Sequence, residues 1–254
     1  MNADRIMALS TSGVAALVVQ QTGSTNADLL ARAPQLAAPL LLVAEHQTAG
    51  RGRAGRSWLS APGDSLTFSL AWPFPGGLTQ LGGLPLAVGV ALAEALAALG
   101  QAVALKWPND VLKDGEKLAG ILVEALPTPD GGAWAVIGIG LNLVMPEALE
   151  AQIGRPVAAV PWLARMDRDA LLAALLDALA ATLQRFAAGG FAPFAARWNA
   201  LHAYAGEPVV IIDRGTQLHE GLAAGVDDAG RLLLDTAEGR VAIVAGDVSL
   251  RPRA

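Results

Sequence analysis

The sequence predicts an α+β protein in which a mixed sheet with helices is followed by a small all-β domain. Apolar segments of strand length alternate with segments of helix length up to about residue 205, and only short strand-like segments follow. The length of 254 residues fits a medium-sized domain with a small addition. We place the boundary between domains at 1–205 and 206–254.

Six strands are predicted in the first domain where apolar residues run between glycine, proline or polar turns. They cover residues 14–20, 40–45, 65–72, 103–107, 118–126 and 133–143. One helix should begin at Thr25, because Thr25 and Asp28 resemble a capping box. The remaining helices are predicted at 84–99, 168–186 and 191–203, with Asp167 or Asp169 at the start of the second of these.

The pattern of apolar and turn-forming residues changes from Glu207 onward. Short strand-like segments at 207–213, 217–226, 231–236 and 240–246 are separated by glycine and acidic turns. This spacing is typical of a small β-barrel.

Composition excludes several classes of protein. Hydrophobic residues make up 53% and charged residues 16% of the chain, so a disordered protein is excluded. The formal net charge of -5 argues against DNA as a partner. Cysteine is absent, which excludes disulfides, zinc thiolates and thiol catalysis. The apolar stretch 81–100 contains Pro85 and Glu94 and lacks basic anchors, so we interpret it as a buried helix rather than a membrane span.

The segment 50–58, GRGRAGRSW, has the composition of an anion-binding loop. Its glycines let backbone approach a ligand, and its arginines supply forks of donors for phosphate or carboxylate. The alternative is a solvated basic loop. Residues 50–55 also satisfy G-x-G-x-x-G, but no apolar helix follows and no acid lies about twenty positions on, which argues against a dinucleotide site. Because three close arginines repel one another, we expect the empty loop to be mobile.

All three lysines of the chain, Lys106, Lys113 and Lys117, lie within twelve residues. The strand end KWPND at 106–110 combines a lysine, a tryptophan and an aspartate that could bind Mg²⁺. A hairpin with solvated lysines and a core Trp107 is the alternative. In GIGLN, Gly138 and Gly140 indicate either a bulge or a place where a ligand meets backbone, or simply strand packing.

Taken together, these motifs resemble those of bacterial biotin–protein ligases. The matching segments occur in family order, as STN at 24–26, AEHQTAGRGRAGRSW at 44–58, KWPND at 106–110, KLAGILVE at 117–124 and GIGLN at 138–142. The resemblance runs from about Ser24 to the C-terminus. It implies a biotin/lipoate ligase-like catalytic domain and an SH3-like C-terminal domain.

The resemblance also implies roles for individual residues. Biotin contacts are implied for Ser24, Thr25, Gln47, Gly50, Arg51, Lys117, Gly120, Gly138 and Gly140. Adenylate or ATP contacts are implied for Arg53, Trp58, Lys106, Asn109 and Asn142, and a position near the metal for Asp110. Lys117, Arg53 and Arg51 are the expected catalytic residues.

The implied reaction forms biotinyl-AMP from biotin and ATP with Mg²⁺ and then transfers biotin to a lysine of a biotin carboxyl carrier protein. Only twenty-three residues precede STN, so we expect the monofunctional class without an N-terminal DNA-binding domain. Ser57 stands where a second cation is common in the loop. We expect a cytoplasmic enzyme without a membrane partner, and the sequence leaves a homodimer open.

Three other functions remain as alternatives at this stage. A lipoate or octanoate transferase shares the implied fold, although the loop together with KWPND favours biotin. A non-catalytic biotin-binding module is disfavoured by the intact Lys117 and Arg53. A nucleotide-dependent oxidoreductase is the most distant alternative. The histidines His46, His202 and His219 show no spacing typical of a metal site.

Overall fold

The fold contains two sheets joined by a helical segment, as predicted. A computed structural model describes residues 1–213, 216–245 and 248–252. The first sheet has seven strands, and the second has five. Their order along the chain confirms the α+β class with a mixed sheet followed by a smaller antiparallel sheet.

The seven-stranded sheet has the order β1-β2-β3-β7-β6-β5-β4. Only β1 and β2 are parallel, and every other neighbouring pair is antiparallel. The strands are β1 (Ala15–Thr22), β2 (Leu40–Gln47), β3 (Ser65–Phe74), β4 (Ala104–Lys106), β5 (Asp110–Lys113), β6 (Glu116–Pro127) and β7 (Ala133–Asn142). The strand β5 was not predicted, because only two of its four residues are apolar and they form no run of strand length.

Helices cover both faces of this sheet. They are α1 (Ala3–Leu9), α2 (Thr25–Arg32), α3 (Leu84–Ala98), α4 (Glu147–Ile153), α5 (Arg168–Gly189) and α6 (Ala192–Ala200). The main core packs α3 and α5 against one face, whereas α2 buries Leu29 in a smaller cluster with Leu42 and Val136. Burying both faces explains why the central strands carry nearly continuous apolar runs.

Two predicted helix starts can be compared with the observed caps. The helix α2 begins at Thr25, as predicted, but its N-cap is Ser24, whose hydroxyl accepts from the backbone N–H of Ala27, so the capping role given to Thr25 is wrong by one residue. Thr25 instead uses its hydroxyl in tertiary contacts. At α5 the prediction is confirmed, because the Asp167 carboxylate accepts from the N–H groups of Asp169 and Ala170.

Two short helices were not predicted. Both α1 and α4 have seven residues. A segment of that length carries too few apolar positions to show helical periodicity.

The helix α5 is long and apolar enough to cross a membrane, yet half of its most apolar stretch is buried inside the protein, and it packs against α1, α3 and α6.

The second sheet has the order β11-β10-β9-β8-β12 and is antiparallel throughout. Its strands are β8 (Pro208–Asp213), β9 (Thr216–Val226), β10 (Leu232–Thr236), β11 (Gly239–Ile243) and β12 (Val248–Pro252). The last of these was not predicted. The predicted strand 240–246 ends earlier, and its final residue Gly246 lies outside the described residues.

The small sheet contacts the first domain through buried and partly buried hydrogen bonds. The indole N–H of Trp107 donates to the carbonyl of Gly230 at 3.2 Å. Asn199 donates to the carbonyl of Val226 at 3.0 Å and accepts from its N–H at 2.7 Å. The side chain of Trp107 is 1% exposed. Trp107 is therefore a core residue, as the alternative interpretation of the KWPND segment expected.

Candidate functional site

A cavity of about 470 Å³ opens between the 50–58 loop, the strands β6 and β7, and the segment that follows α4. Its size and mixed polarity suit a small-molecule ligand. Thirteen of the predicted site residues line it: Ser24, Thr25, Gln47, Arg51, Arg53, Trp58, Asn109, Asp110, Lys117, Gly120, Gly138, Gly140 and Asn142.

Two predicted site residues do not line the cavity. Gly50 lies at the base of the loop, where its carbonyl accepts from the N–H of Trp58 at 2.9 Å. A Cβ at Gly50 would lie 2.4 Å from the carbonyl oxygen of Trp58, so glycine is needed for this close approach. Lys106 lies behind the wall on β4, paired with Asp110 of β5.

One end of the cavity is a buried network of hydroxyl and amide groups. The side-chain carbonyl of Gln47 accepts from the N–H of Thr25 at 2.8 Å and from its hydroxyl at 3.1 Å. The Thr25 hydroxyl also contacts that of Ser69 at 2.7 Å, and Ser69 donates to Asn26 at 2.6 Å. These groups are fixed before any ligand binds, which favours recognition of a polar ligand of defined shape.

Glycines of two adjacent strands form the floor of the cavity. Gly120 of β6 is paired with Gly140 of β7, and Gly138 is paired with Leu122. A Cβ at Gly140 would lie 2.2 Å from the indole of Trp58, and one at Gly138 would lie 2.3 Å from the side-chain oxygen of Asn26. The absence of side chains therefore makes room for Trp58 and Asn26 over the floor.

Lys117 is the central cation of the site. Its ammonium lies 2.5 Å from Asp110 and 5.6 Å from the centre of the Trp58 ring. The amide of Asn142 donates to the carbonyls of Lys117 and Ala158, at 3.4 and 3.1 Å. The N–H of Ala158 donates to the Lys117 carbonyl at 3.0 Å. Asn142 thus joins the strand that carries Lys117 to the wall after α4.

The arginine loop is held by polar contacts at several points. Arg51 forms an ion pair of 2.8 Å with Glu124, and Arg53 donates to the side chain of Asn109 at 3.1 Å. The guanidinium of Arg56 donates to the carbonyl of Arg53 at 3.2 Å. Ala54 has φ 54 and ψ 39, a left-handed conformation that non-glycine residues rarely adopt.

Positive charge dominates the cavity wall. Among the described residues that line it, Asp110 is the one carboxylate, and the cations are Arg51, Arg53, Arg56, Lys117, Arg155 and Arg251. Burial is the main reason that the pKa of Lys106 falls to about 8, and nearby Arg251 lowers it further. A cavity of this charge in a chain of net charge -5 favours an anionic ligand.

The sequence missed four contributors to this site. Asn26 and Glu124 lie inside quoted motifs but had been given no role. Strand alternation from Gly120 through Leu122 would have placed Glu124 on the same face. Arg155 and Arg251 lie in segments without a motif, so only folding brings them to the cavity.

The histidines take no part in the cavity. His202 is buried with its ring 4.7 Å from that of Trp198, and neither ring nitrogen has a hydrogen-bond partner within the described chain. Burial lowers the pKa of His202 to about 4. Within the described residues no group of three or more histidine or acidic side chains could hold a metal ion.

Comparison with known proteins finds two matching family profiles. The biotin/lipoate A/B protein ligase family matches residues 17–142, and the biotin protein ligase C-terminal domain matches residues 204–251. The bifunctional ligase/repressor BirA of Escherichia coli K12 is 36% identical over 99% of this chain and 78% of its own length. The biotin--[acetyl-CoA-carboxylase] ligase of Paracoccus denitrificans is 37% identical over 91% of this chain and 98% of its own.

Solved structures give the same result. The biotin protein ligase of Aquifex aeolicus in complex with biotin and ATP superposes with a TM-score of 0.80. It is 30% identical to this chain and covers 94% of it and 99% of the Aquifex chain. The chain therefore belongs to the biotin/lipoate A/B protein ligase family.

Proposed function

We propose that this protein is a biotin–protein ligase, which forms biotinyl-AMP from biotin and ATP and then transfers biotin to a lysine of a biotin carboxyl carrier protein. The observation that carries the proposal is the cavity itself, in which a preformed polar end leads to Lys117 and a cationic wall. Biotin presents a polar ring system at one end and a carboxylate at the other, and the cavity offers partners in that order.

The polar end favours biotin over a plain acyl chain. The hydroxyl and amide groups of Ser24, Thr25 and Gln47 can exchange hydrogen bonds with a ureido group. A fatty acid or lipoate would leave without a partner the hydrogen-bonding positions of these groups that the network does not use, which costs binding energy. This is the structural reason to prefer biotin to the related lipoate or octanoate reaction.

The first step joins two anions, and the cations of the cavity remove that obstacle. The carboxylate of biotin attacks the α-phosphorus of ATP, and pyrophosphate leaves. Lys117 and Arg51 neutralise the approaching carboxylate and phosphate oxygens. Arg53 and Trp58 lie on the loop side and are assigned to the adenylate, together with Asn109. Asn142 positions the Lys117 strand through its two backbone contacts.

The expected metal is Mg²⁺, and the donor set fits an ion that arrives with the nucleotide. Mg²⁺ sites of this kind use one or two carboxylates plus substrate phosphates. Asp110 is the one carboxylate among the described lining residues, and it is paired with Lys117. When bound, the ion would screen the charge of the phosphates. Lys106 adds positive charge behind Asp110.

The second step needs no nucleophile from this chain. The amine of the acceptor lysine attacks the carbonyl of the mixed anhydride, and AMP leaves. Gly50, Gly120, Gly138 and Gly140 are assigned to shaping the biotin end, and the loop above them excludes water. The acceptor follows from relatives named as acetyl-CoA-carboxylase ligases.

We place the catalytic domain at 1–205 and the SH3-like domain at 206–254, supported by the first strand of the second sheet at Pro208. A cytoplasmic location agrees with the use of ATP. Assembly as a homodimer stays open.

The decisive experiment compares transfer of biotin to a purified carrier domain by wild type, Lys117→Ala and Lys113→Ala. We expect Lys117→Ala to lose about 100- to 1000-fold in rate, as when one charge-stabilising donor is removed. Lys113 lies on β5 and does not line the cavity, so its variant controls for general loss of a lysine. No labelling by wild type that still binds biotin would overturn the proposal in favour of a binding module.

A further inference from the structure

The ion pair between Arg51 and Glu124 joins the exposed loop to the rigid sheet. The two side chains lie 2.8 Å apart, with 49% of the Arg51 side chain and 23% of the Glu124 side chain exposed. Arg51 belongs to the 50–58 loop, and Glu124 belongs to β6, which lies between β5 and β7 in the sheet. The contact therefore links the loop, which its three arginines predict to be mobile, to a strand inside the sheet.

Glu124 is placed at the end of the cavity floor without lining the cavity. It continues the strand face of Gly120 and Leu122, and its register partner on β7 is Val136. The cavity wall includes Gly120 and Leu122 but stops short of Glu124. Glu124 can thus hold Arg51 from outside the space that a ligand would fill.

A buried amide fixes the orientation of the Glu124 carboxylate. The side-chain N–H of Asn26 donates to one oxygen of Glu124 at 3.0 Å, while Arg51 takes the other oxygen at 2.8 Å. Asn26 is itself 3% exposed, accepts from Ser69 at 2.6 Å and contacts the carbonyl of Leu122 at 3.3 Å. An exposed ion pair usually contributes little, because two free side chains must be ordered. Here one partner is already ordered.

An ion pair with a carboxylate stabilises this loop more than an uncharged loop, because the loop carries three close arginines. Arg51, Arg53 and Arg56 lie within six residues, and like charges this close repel one another. Within the part of the chain that the structure describes, the guanidinium of Arg56 donates to the carbonyl of Arg53 in the same loop, a contact that does not connect the loop to the sheet. Glu124 supplies the negative charge that offsets part of this repulsion.

We propose that Glu124 is a positioning residue that holds Arg51, and with it the 50–58 loop, over the cavity before any ligand binds. Arg51 uses one terminal nitrogen for Glu124, which leaves its other guanidinium N–H groups available toward the cavity. Glu124 touches no substrate. Its effect is on the fraction of molecules in which the loop is closed.

The consequence for ligand binding rests on the proposed function. A protein whose competent form is only partly populated binds its ligand more weakly by that fraction. Loss of Glu124 should therefore raise the dissociation constant of biotin about three- to tenfold. The maximal rate of transfer should change less than twofold, because saturating substrates restore the closed loop.

Limited trypsin digestion of the ligand-free protein tests the closed loop directly, because cleavage after Arg51, Arg53 or Arg56 requires an open loop. Glu124→Gln keeps the shape and removes the charge. Glu94→Gln is the matched control, since Glu94 of α3 forms an exposed ion pair of 3.1 Å with Arg197 of α6 and has no part in the loop. Thermal unfolding of each variant checks that both are folded. Biotin binding by calorimetry and carrier labelling follow.

We expect Glu124→Gln to be cut in the loop about three- to tenfold faster than wild type and Glu94→Gln. Fast opening makes the cleavage rate follow the open population. Raising the salt concentration to 1 M should bring the cleavage rates of wild type and Glu124→Gln closer together, since salt screens the ion pair that distinguishes them. Equal cleavage of Glu124→Gln and Glu94→Gln would overturn the proposal. So would biotin binding that is unchanged or tighter in Glu124→Gln, which would make Glu124 a spectator or a competitor. If wild type binds no biotin, the proposed function fails while the cleavage result still decides the role of Glu124.

Discussion

The loop side and the sheet side of the cavity differ in their exposure to solvent and in the contacts that hold them in place. The loop from Gly50 to Trp58 is largely exposed, rich in arginine, and held by a few polar contacts. The sheet side is built from the paired glycines of β6 and β7 and from Lys117, with a continuous ladder of backbone hydrogen bonds beneath them. One side can open, and the other gives the ligand a fixed surface.

The difference shows how one site can be both accessible and precise. A backbone ladder fixes glycine positions closely, because strand register leaves no freedom. Exposed ion pairs contribute little each, so the loop can exchange them for contacts with a ligand. Changes on the sheet side should therefore cost much more than changes on the loop side.

The largest expected effect is that of Gly140→Ala on the sheet side. A Cβ there would lie 2.2 Å from the indole of Trp58, inside the floor of the cavity. We expect biotin affinity to fall about 100-fold, because the strand cannot move, so Trp58 would be displaced from its place over the floor, and a shift of about 1 Å in a site can have an effect of that size. Gly82→Ala is the control, as its nearest atom would be 3.9 Å away. Calorimetry with biotin measures both, and unchanged affinity in Gly140→Ala would break the distinction between a rigid floor and a yielding loop.

A smaller effect is expected from the pH dependence of Lys106. Burial first, and Arg251 second, lower its pKa from 10.5 to about 8. As pH rises through 8, Lys106 loses its charge beside Asp110, so the KM for ATP should rise about threefold by pH 9. Lys106→Arg stays charged and should show a flat KM over that range. A flat profile in the wild type would remove Lys106 from ATP binding.

The same shift has a consequence for stability that is independent of ligands. The folded pKa of Lys106 lies below the unfolded value, so between pH 8 and 10.5 the unfolded state binds more protons. The contribution of Lys106 to the free energy of unfolding therefore increases over that range. Denaturant titrations of wild type and Lys106→Met across these pH values isolate this contribution.

The smallest effect is expected on the loop side at Ala54. A left-handed alanine costs about 1 kcal/mol, and glycine removes this strain but adds freedom to the unfolded chain. We expect Ala54→Gly to change loop cleavage by trypsin less than twofold. Ala54→Val should be cut several-fold faster, because a β-branched residue fits this conformation poorly. Equal behaviour of the two variants would show that loop conformation does not limit closure.

Most strands and helices could be predicted from local sequence patterns, and the elements that were predicted wrongly have physical reasons. Six of the seven strands of the first sheet, all except β5, and the helices α3 and α5 were predicted because long apolar runs and capping residues are local signals. The cap of α2 was misplaced because Ser24 and Thr25 are equally good caps by type. Only the tertiary structure uses the Thr25 hydroxyl for Gln47 and Ser69 instead.

Local motifs were enough to identify the residue types of the site, because the arginine loop, the lysine of KLAGILVE and the glycines of GIGLN can be recognised without knowing their partners. The roles of these residues stay predictions until the proposed variants are measured. The tertiary structure decided which of them share one cavity, and it added Asn26, Glu124 and Arg155. It also separated Lys106 from the wall and buried Trp107 in the core. Contacts between segments far apart in the chain depend on strand order and register, and composition carries no record of either.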